Sequence, residues 1–250
     1  MRRNLLFHLC YDGTCYYGWQ KTQQGPSIED ALEKALSTIL QHPIVLQAAS
    51  RTDAGVHADN QIVNCYTDKT SLDLTRLHTS LNQLLPQDIR VTSVTYATDS
   101  FHPSLDCTSK EYLYTITTEP WGSPFKRHFA WHFPQVLDLV LMQEASKLLI
   151  GRHDFQAFTN ARQPPHKTTV REIFSIDITQ NGGDFYIHMI GDRFLYKMAR
   201  NLAGTLCYIG CNKIPLNHLL QILNNKKRTD SGVTAPAHGL ILKKVHYPSI

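Results

Sequence analysis

The stretch Ala48-Ala49-Ser50-Arg51-Thr52-Asp53-Ala54-Gly55-Val56-His57-Ala58 decides how the chain is read. Apolar residues lead into it, and a strand-like run, Gln61 to Thr67, leaves it. A small, polar, Gly-containing segment between two such runs is a tight loop joining two strands. Asp53 is the sole carboxylate of the stretch, and Arg51 stands two residues before it. In extended backbone, residues i and i+2 point to the same face, so Arg51 lies beside Asp53. Two readings of that pair stand open. An exposed ion pair on a surface turn contributes little. A carboxylate partly withdrawn from water beside a guanidinium stays ionised and is available for chemistry.

Upstream, Leu5 to Tyr11 has strand character and ends at Asp12-Gly13, and Tyr16-Tyr17-Gly18-Trp19-Gln20 follows as a loop, expected to form a hairpin with aromatic packing. Ser27 is a good N-cap, with Asp30 favourable in the first turn. Ile28, Ala31, Leu32, Ala35, Leu36, Ile39 and Leu40 then recur at helical spacing, and His42-Pro43 ends the helix. Ile44 to Gln47 is a short strand into the central loop. Downstream, a helix is expected from about Asp73 to Leu85, stopped by Pro86, and a strand from Ile89 to Ala97. The order strand, helix, strand, strand, helix, strand is the split ferredoxin-like arrangement. Its helices cover one face of a largely antiparallel sheet and leave the other for a ligand or partner domain.

Phe101-His102-Pro103 marks a crossover, giving domains at 1–105 and 106–250. Lys110 opens the next strand, on which Tyr112 and Tyr114 point the same way. A helix is expected from about Val136 to Ile150, ending at Gly151. Val170 to Thr179 and Phe185 to Ile190 form a hairpin across Asn181-Gly182-Gly183. A helix from about Phe194 carries Met198, Leu202, Leu206 and Ile209; a short helix spans Leu216 to Leu223; the last strand is Gly239 to Val245. The second half thus repeats the plan of the first. The fold class is α+β, with two ferredoxin-like or RRM-like units of mainly antiparallel sheet.

The 250 residues are 42% hydrophobic, enough for a sizeable core. With 25 basic and 21 acidic residues the net charge is +4, which by itself establishes no nucleic-acid partner. Local groupings say more: Lys126-Arg127-His128, Arg152-His153, Arg162 to Arg171, Arg193 to Arg200 and Lys226-Lys227-Arg228, several interleaved with aromatic residues. They fit either RNA, with phosphates on cations and unstacked bases on rings, or solvated loops. The six cysteines form no Cys-x-x-Cys pair and suit small buried thiols. His128 and His132 lie in a strand-like run, where a spacing of four does not present a helical ligand pair. No metal, no cofactor and no membrane-spanning segment is expected, and the N-terminal Met1 to Leu9 is a first strand of a cytoplasmic protein.

Arg51-Thr52-Asp53-Ala54-Gly55-Val56-His57 resembles the active-site motif of the tRNA pseudouridine synthase A family. Further matches are Tyr11-Asp12-Gly13, Tyr16 to Gln20, the basic-x-Tyr-x-Tyr run Lys110 to Tyr114, Asp154-Phe155-x-x-Phe158, Phe194 to Asn201 and Ala237 to Leu240. They extend from Tyr11 to Leu242. Ser50 departs from the family, where Gly is common, as do Pro103 and Cys107 near the crossover.

The resemblance implies two units facing across a central cleft, and an enzyme that isomerises uridine at positions 38, 39 and 40 of the tRNA anticodon stem-loop. It puts the nucleophile on Asp53. It has Arg51 help extrude the uridine, Tyr112 pack on the base, Arg200 reach the catalytic carboxylate and Leu240 lie near the pocket. It also implies a homodimer with tRNA in a basic cleft. Whether Asp53 attacks ribose C1′ or uracil C6 stays open. The alternative from another class is a non-catalytic RNA-binding protein with tandem RRM-like units. A carboxylate-dependent glycosidase would need a second acid, and none accompanies Asp53 in the motif.

Overall fold

In β1 (Arg3–Tyr11) the residues Leu5, Phe7 and Leu9 are fully buried and alternate with half-buried ones, as one covered sheet face requires. The computed structural model describes residues 2–160 and 168–248. Within them the chain is α+β, with mostly antiparallel strand pairing, and divides into two units: Met1–Thr108 with Leu242–Ile250, and Ser109–Ile241.

In the first unit, α1 (Ile28–Leu40) starts where the Ser27 hydroxyl accepts the Asp30 N–H at 3.2 Å. Ile28, Leu32 and Leu36 form its buried stripe. It ends at Gln41, which takes a left-handed φ of 59°, just before His42-Pro43. β2 (Leu46–Ala48) and β3 (His57–Thr67) flank the central loop. α2 (Leu74–Leu84) is capped by the Asp73 carboxylate on the Arg76 N–H, and β4 (Ile89–Ala97) matches its expected span. The strands lie in the order β4-β1-β3-β2, each neighbouring pair antiparallel. That is the split arrangement read from the sequence. β3 begins four residues earlier than its apolar pattern predicts. A bulge lies between the pairs Leu9/Gln61 and Tyr11/Ala58, so strict alternation fails there.

The second unit contains β5 (Ser109–Thr117), β6 (Trp131–His132), α3 (Leu139–Lys147), β7 (Gly151–Asp154), β8 (Val170–Asn181), β9 (Asp184–Gly191), α4 (Met198–Gly210) and α5 (His218–Asn225). Antiparallel pairs set the order β5-β9-β8-β7, with β6 parallel to β5. The run β5-β9-β8 repeats β1-β3-β2, consistent with duplication of one plan. Gly182-Gly183 closes the β8–β9 hairpin. α4 begins at Met198 instead of near Phe194, because Lys197 takes a left-handed φ of 60° and interrupts the helix. α3 is shorter than expected at both ends, and β7 was hidden in the sequence by its length of four residues.

The last strand, β10 (Leu240–His246), neighbours β3. Lys243 pairs with Asp59, the Thr108 N–H donates to His246 O at 2.9 Å, and the Tyr247 hydroxyl donates to Pro103 O at 2.8 Å. These bonds tie Lys243, His246 and Tyr247 to the first unit, with which Leu242–Ile250 is grouped. A return of the chain leaves no local signature in composition.

Candidate active site

The Asp53 loop alternates. Ser50 and Thr52 are 7% exposed, Arg51 is exposed and Asp53 is half-buried. The inward pair anchors the loop and the outward pair faces its open side, as the i, i+2 argument requires. The Val56 N–H closes a turn onto Asp53 O at 3.1 Å, with Gly55 at φ 77°. Ser50 does not share that left-handed geometry, so its position asks nothing that only glycine supplies, and the departure from the family is accommodated.

The aromatic segment Tyr16 to Gln20 is not a hairpin. It lies under the Asp53 loop as a backing. The Trp19 N–H donates to Thr52 O at 3.0 Å, and the Gly55 N–H donates to Tyr16 O at 3.3 Å. Gly18, at φ 92°, approaches so closely that a Cβ there would stand 2.6 Å from Thr52 O. Trp19 is 2% exposed and Tyr16 is 7% exposed. Burial, then the hydrogen bond given to Asp88, push the Tyr16 phenol pKa upward. His57 is buried, and its Nδ1 accepts the Gly13 N–H at 3.0 Å. The same atom lies 3.1 Å from Asp12 Oδ1. The backbone hydrogen has a fixed direction, so Nδ1 acts as its acceptor and the Asp12 contact is a proximity. Sequence reading matched these segments to the family and expected a hairpin at Tyr16 to Gln20, but missed that they hold the Asp53 loop. The signal was Gly18 between aromatics, a glycine where backbone must approach backbone.

Polar side chains complete the support. Gln61, fully buried, accepts the Ser50 N–H at 3.2 Å and donates to Ser50 O at 2.7 Å. The Tyr11 hydroxyl is 2.8 Å from Thr52 Oγ1.

In the second unit Tyr112 lies on β5, 6% exposed, with its ring edge-on to Phe194 at a centroid distance of 4.9 Å. Tyr114 is fully buried; its hydroxyl donates to Pro236 O at 2.8 Å, and burial raises its pKa well above the usual value. Arg200 is half-buried near the start of α4. Its Nε donates to Ala235 O at 2.7 Å, and the Ala235 N–H donates back to Arg200 O at 3.2 Å. Leu240, 5% exposed, follows Gly239, where a Cβ would meet the Tyr114 ring at 2.7 Å. Asn201, fully buried, donates to Phe158 O at 2.7 Å and Asn160 Oδ1 at 2.8 Å, and its own Oδ1 accepts from Arg228 at 2.9 Å and Thr234 at 2.7 Å. This explains the Phe155 to Phe158 and Arg-Asn matches as one packed block beside Arg200.

The basic groupings separate on inspection. Arg228 turns inward and donates also to Ser231 Oγ and Gly232 O, so its charge serves the fold. Lys226 pairs with Asp154 at 2.7 Å and Lys126 with Asp184 at 2.6 Å. Residues 162–167 of the Arg162 to Arg171 grouping lie outside the described residues. Arg51, Arg152 and Arg193 are exposed. Among the described residues no helix is long and apolar enough to cross a membrane.

The class these features define is an α+β protein of two units, one carrying an Arg-x-Asp loop and the other a Tyr-bearing strand and an Arg-bearing helix. Residues 145–248 match a family model described as tRNA pseudouridine synthase. The chain is 46% identical over 247 residues to tRNA pseudouridine synthase A 2 of Protochlamydia amoebophila, covering 98% of this chain and 94% of that one. It is 40% identical to tRNA pseudouridine synthase A of Pelobacter propionicus and 37% identical to that of Thermoanaerobacter sp., in each case over 98% of this chain and 100% of the relative. The chain belongs to the tRNA pseudouridine synthase A family. It is an isomerase that makes pseudouridine in tRNA.

Proposed function

We propose that the protein acts on uridines 38, 39 and 40 of the tRNA anticodon stem-loop, with Asp53 as nucleophile. The observation that carries this reading is the support of Asp53. Its neighbours Ser50, Thr52 and Gly55 are hydrogen-bonded to buried groups or backbone, while the carboxylate itself is half-buried. A nucleophile needs that combination of fixed backbone and reachable oxygen.

In the proposed reaction the carboxylate attacks ribose C1′ or uracil C6, and the N1–C1′ bond breaks. The uracil turns, C5 bonds to C1′, the bond to the Asp53 carboxylate breaks and returns its electron pair to the carboxylate, the C5 proton is lost and N1 gains one. Atoms and electrons balance without an external donor, so no cofactor is called for. A base within a stem must first leave the stack. Arg51, exposed beside Asp53, suits a role in extruding the nucleotide and holding its phosphate. Tyr112, backed edge-on by Phe194, offers an aromatic surface for the uracil. Arg200, its Nε tied to Ala235 O, supplies a fixed positive charge, and Leu240 supplies apolar lining. The working form is a cytoplasmic homodimer.

The test is tritium release from tRNA labelled at uracil C5. Asp53→Asn is expected to bind tRNA as the wild type does and to release no tritium. Turnover by that variant refutes the assignment of the nucleophile.

A further inference from the structure

Val63 and Cys65 of β3 face the core opposite Phe7 and Leu5, and Gln61 stands on the same face opposite Leu9. Strand alternation puts an apolar residue there, yet the position holds a fully buried amide. A buried amide is costly unless its hydrogen bonds are met. Its partners are specific. β2 pairs with β3 through Ala48, and the Ala49 N–H still reaches Ile62 O at 2.8 Å. At Ser50 the backbone ladder stops, and the Gln61 side chain takes both Ser50 groups, N–H at 3.2 Å and C=O at 2.7 Å. One side chain thus replaces a strand neighbour at the point where the chain leaves the sheet. Gln61 Nε2 also lies 3.4 Å from the Tyr11 hydroxyl, which in turn is bonded to Thr52 Oγ1. The chain of contacts runs Ser50, Gln61, Tyr11, Thr52, and so grips the two residues that flank Arg51, the second of which precedes Asp53. The bulge beside Gln61 is a device that re-aims side chains near functional loops.

We propose that Gln61 is a positioning residue for the reaction, acting with Tyr11 as a buried splint that fixes the Asp53 loop in its reactive geometry. The inference rests on the assignment of Asp53 made above. Because the splint touches the loop on its core side only, at the Ser50 backbone and the Thr52 hydroxyl, its loss changes the chemical step and leaves tRNA binding intact.

Gln61→Met keeps volume and removes every hydrogen bond of the amide. Tyr11→Phe keeps the ring and removes only the bridging hydroxyl. With the full chain and unmodified tRNA, kcat is expected to fall about a hundredfold for Gln61→Met and about tenfold for Tyr11→Phe, with KM within about twofold of wild type. Gln61→Glu is the conservative rescue. Its protonated carboxyl can donate to Ser50 O and accept from Ser50 N–H, whereas its charged form cannot donate. Its kcat relative to wild type therefore rises as pH falls, and that of Gln61→Met does not. A wild-type kcat in Gln61→Met, or in Tyr11→Phe should the former not fold, overturns the proposal, as does a raised KM at unchanged kcat. Asp53→Asn run alongside separates the two ideas. Turnover by Asp53→Asn refutes the nucleophile itself; a dead Asp53→Asn with fully active Gln61→Met refutes only the splint.

Discussion

Replacing Gly18 with alanine tests whether the aromatic segment positions the Asp53 loop. Gly18 has φ 92°, which disfavours an L side chain by about 1–3 kcal/mol. The new Cβ would also stand 2.6 Å from Thr52 O and 3.0 Å from Ala54 N and Asp53 C, all backbone atoms. The nearest is about 0.8 Å short of ordinary contact, so either the strain is kept or the loop retreats by roughly that distance. Retained overpacking costs about 1–3 kcal/mol more, for a total near 4 kcal/mol and a fall in Tm of about 8–16 °C. A retreat of the loop instead costs on the order of a hundredfold in kcat. Thermal melting together with tritium release reads both. Gly182→Ala is the control: it has φ 58°, but nothing lies within 4 Å of its Cβ, so it pays the backbone cost alone and keeps wild-type kcat. If Gly18→Ala matched Gly182→Ala in both measurements, the close approach beneath Asp53 would not matter and the reasoning would be wrong.

Arg228→Met should destabilise the protein by about 2–4 kcal/mol by removing the part-buried hydrogen bonds that Arg228 gives to Asn201, Thr234, Ser231 and Gly232. It should leave the slope of log Kd for tRNA against log salt unchanged; a slope lower by about one would instead make Arg228 a phosphate contact. Asp154 is raised by burial, but hydrogen bonds from Lys226, Thr169 and the Gln156 N–H outweigh this and hold its carboxyl below the usual range. Its folded pKa is below its unfolded one, so it adds stability above about pH 4, the unfolded value, and that stability is lost as pH falls through the folded value. Urea unfolding should therefore show Asp154→Asn weaker than wild type at pH 7, the gap closing on acidification; a gap independent of pH would refute this ion-pair account.

Much of the fold lay open in short-range pattern. The apolar stripe from Ile28 to Leu40, the caps Ser27 and Asp73, and the alternation of β1 specify elements through contacts within a few residues, and their order sufficed for the split arrangement. The in-and-out alternation from Ser50 to Asp53 was legible for the same reason, since side-chain direction two residues apart is set by local backbone. The start of α4 was not, because a left-handed Lys197 follows from what surrounds it and not from its propensity.

What the sequence determined alone is therefore most of the elements, their order and the candidate groups, all fixed by local geometry and by a motif that resembles a known family. What the tertiary structure decided is which distant residues serve them. Gly18 and Gln61 hold the Asp53 loop, Arg228 turns its charge inward to Asn201, and Leu242–Ile250 returns to the first unit. Each depends on a hydrogen bond or close approach between residues far apart in the chain. Polarity and periodicity carry no record of such a pairing, because the same glutamine or arginine satisfies either one as well in water as in the core.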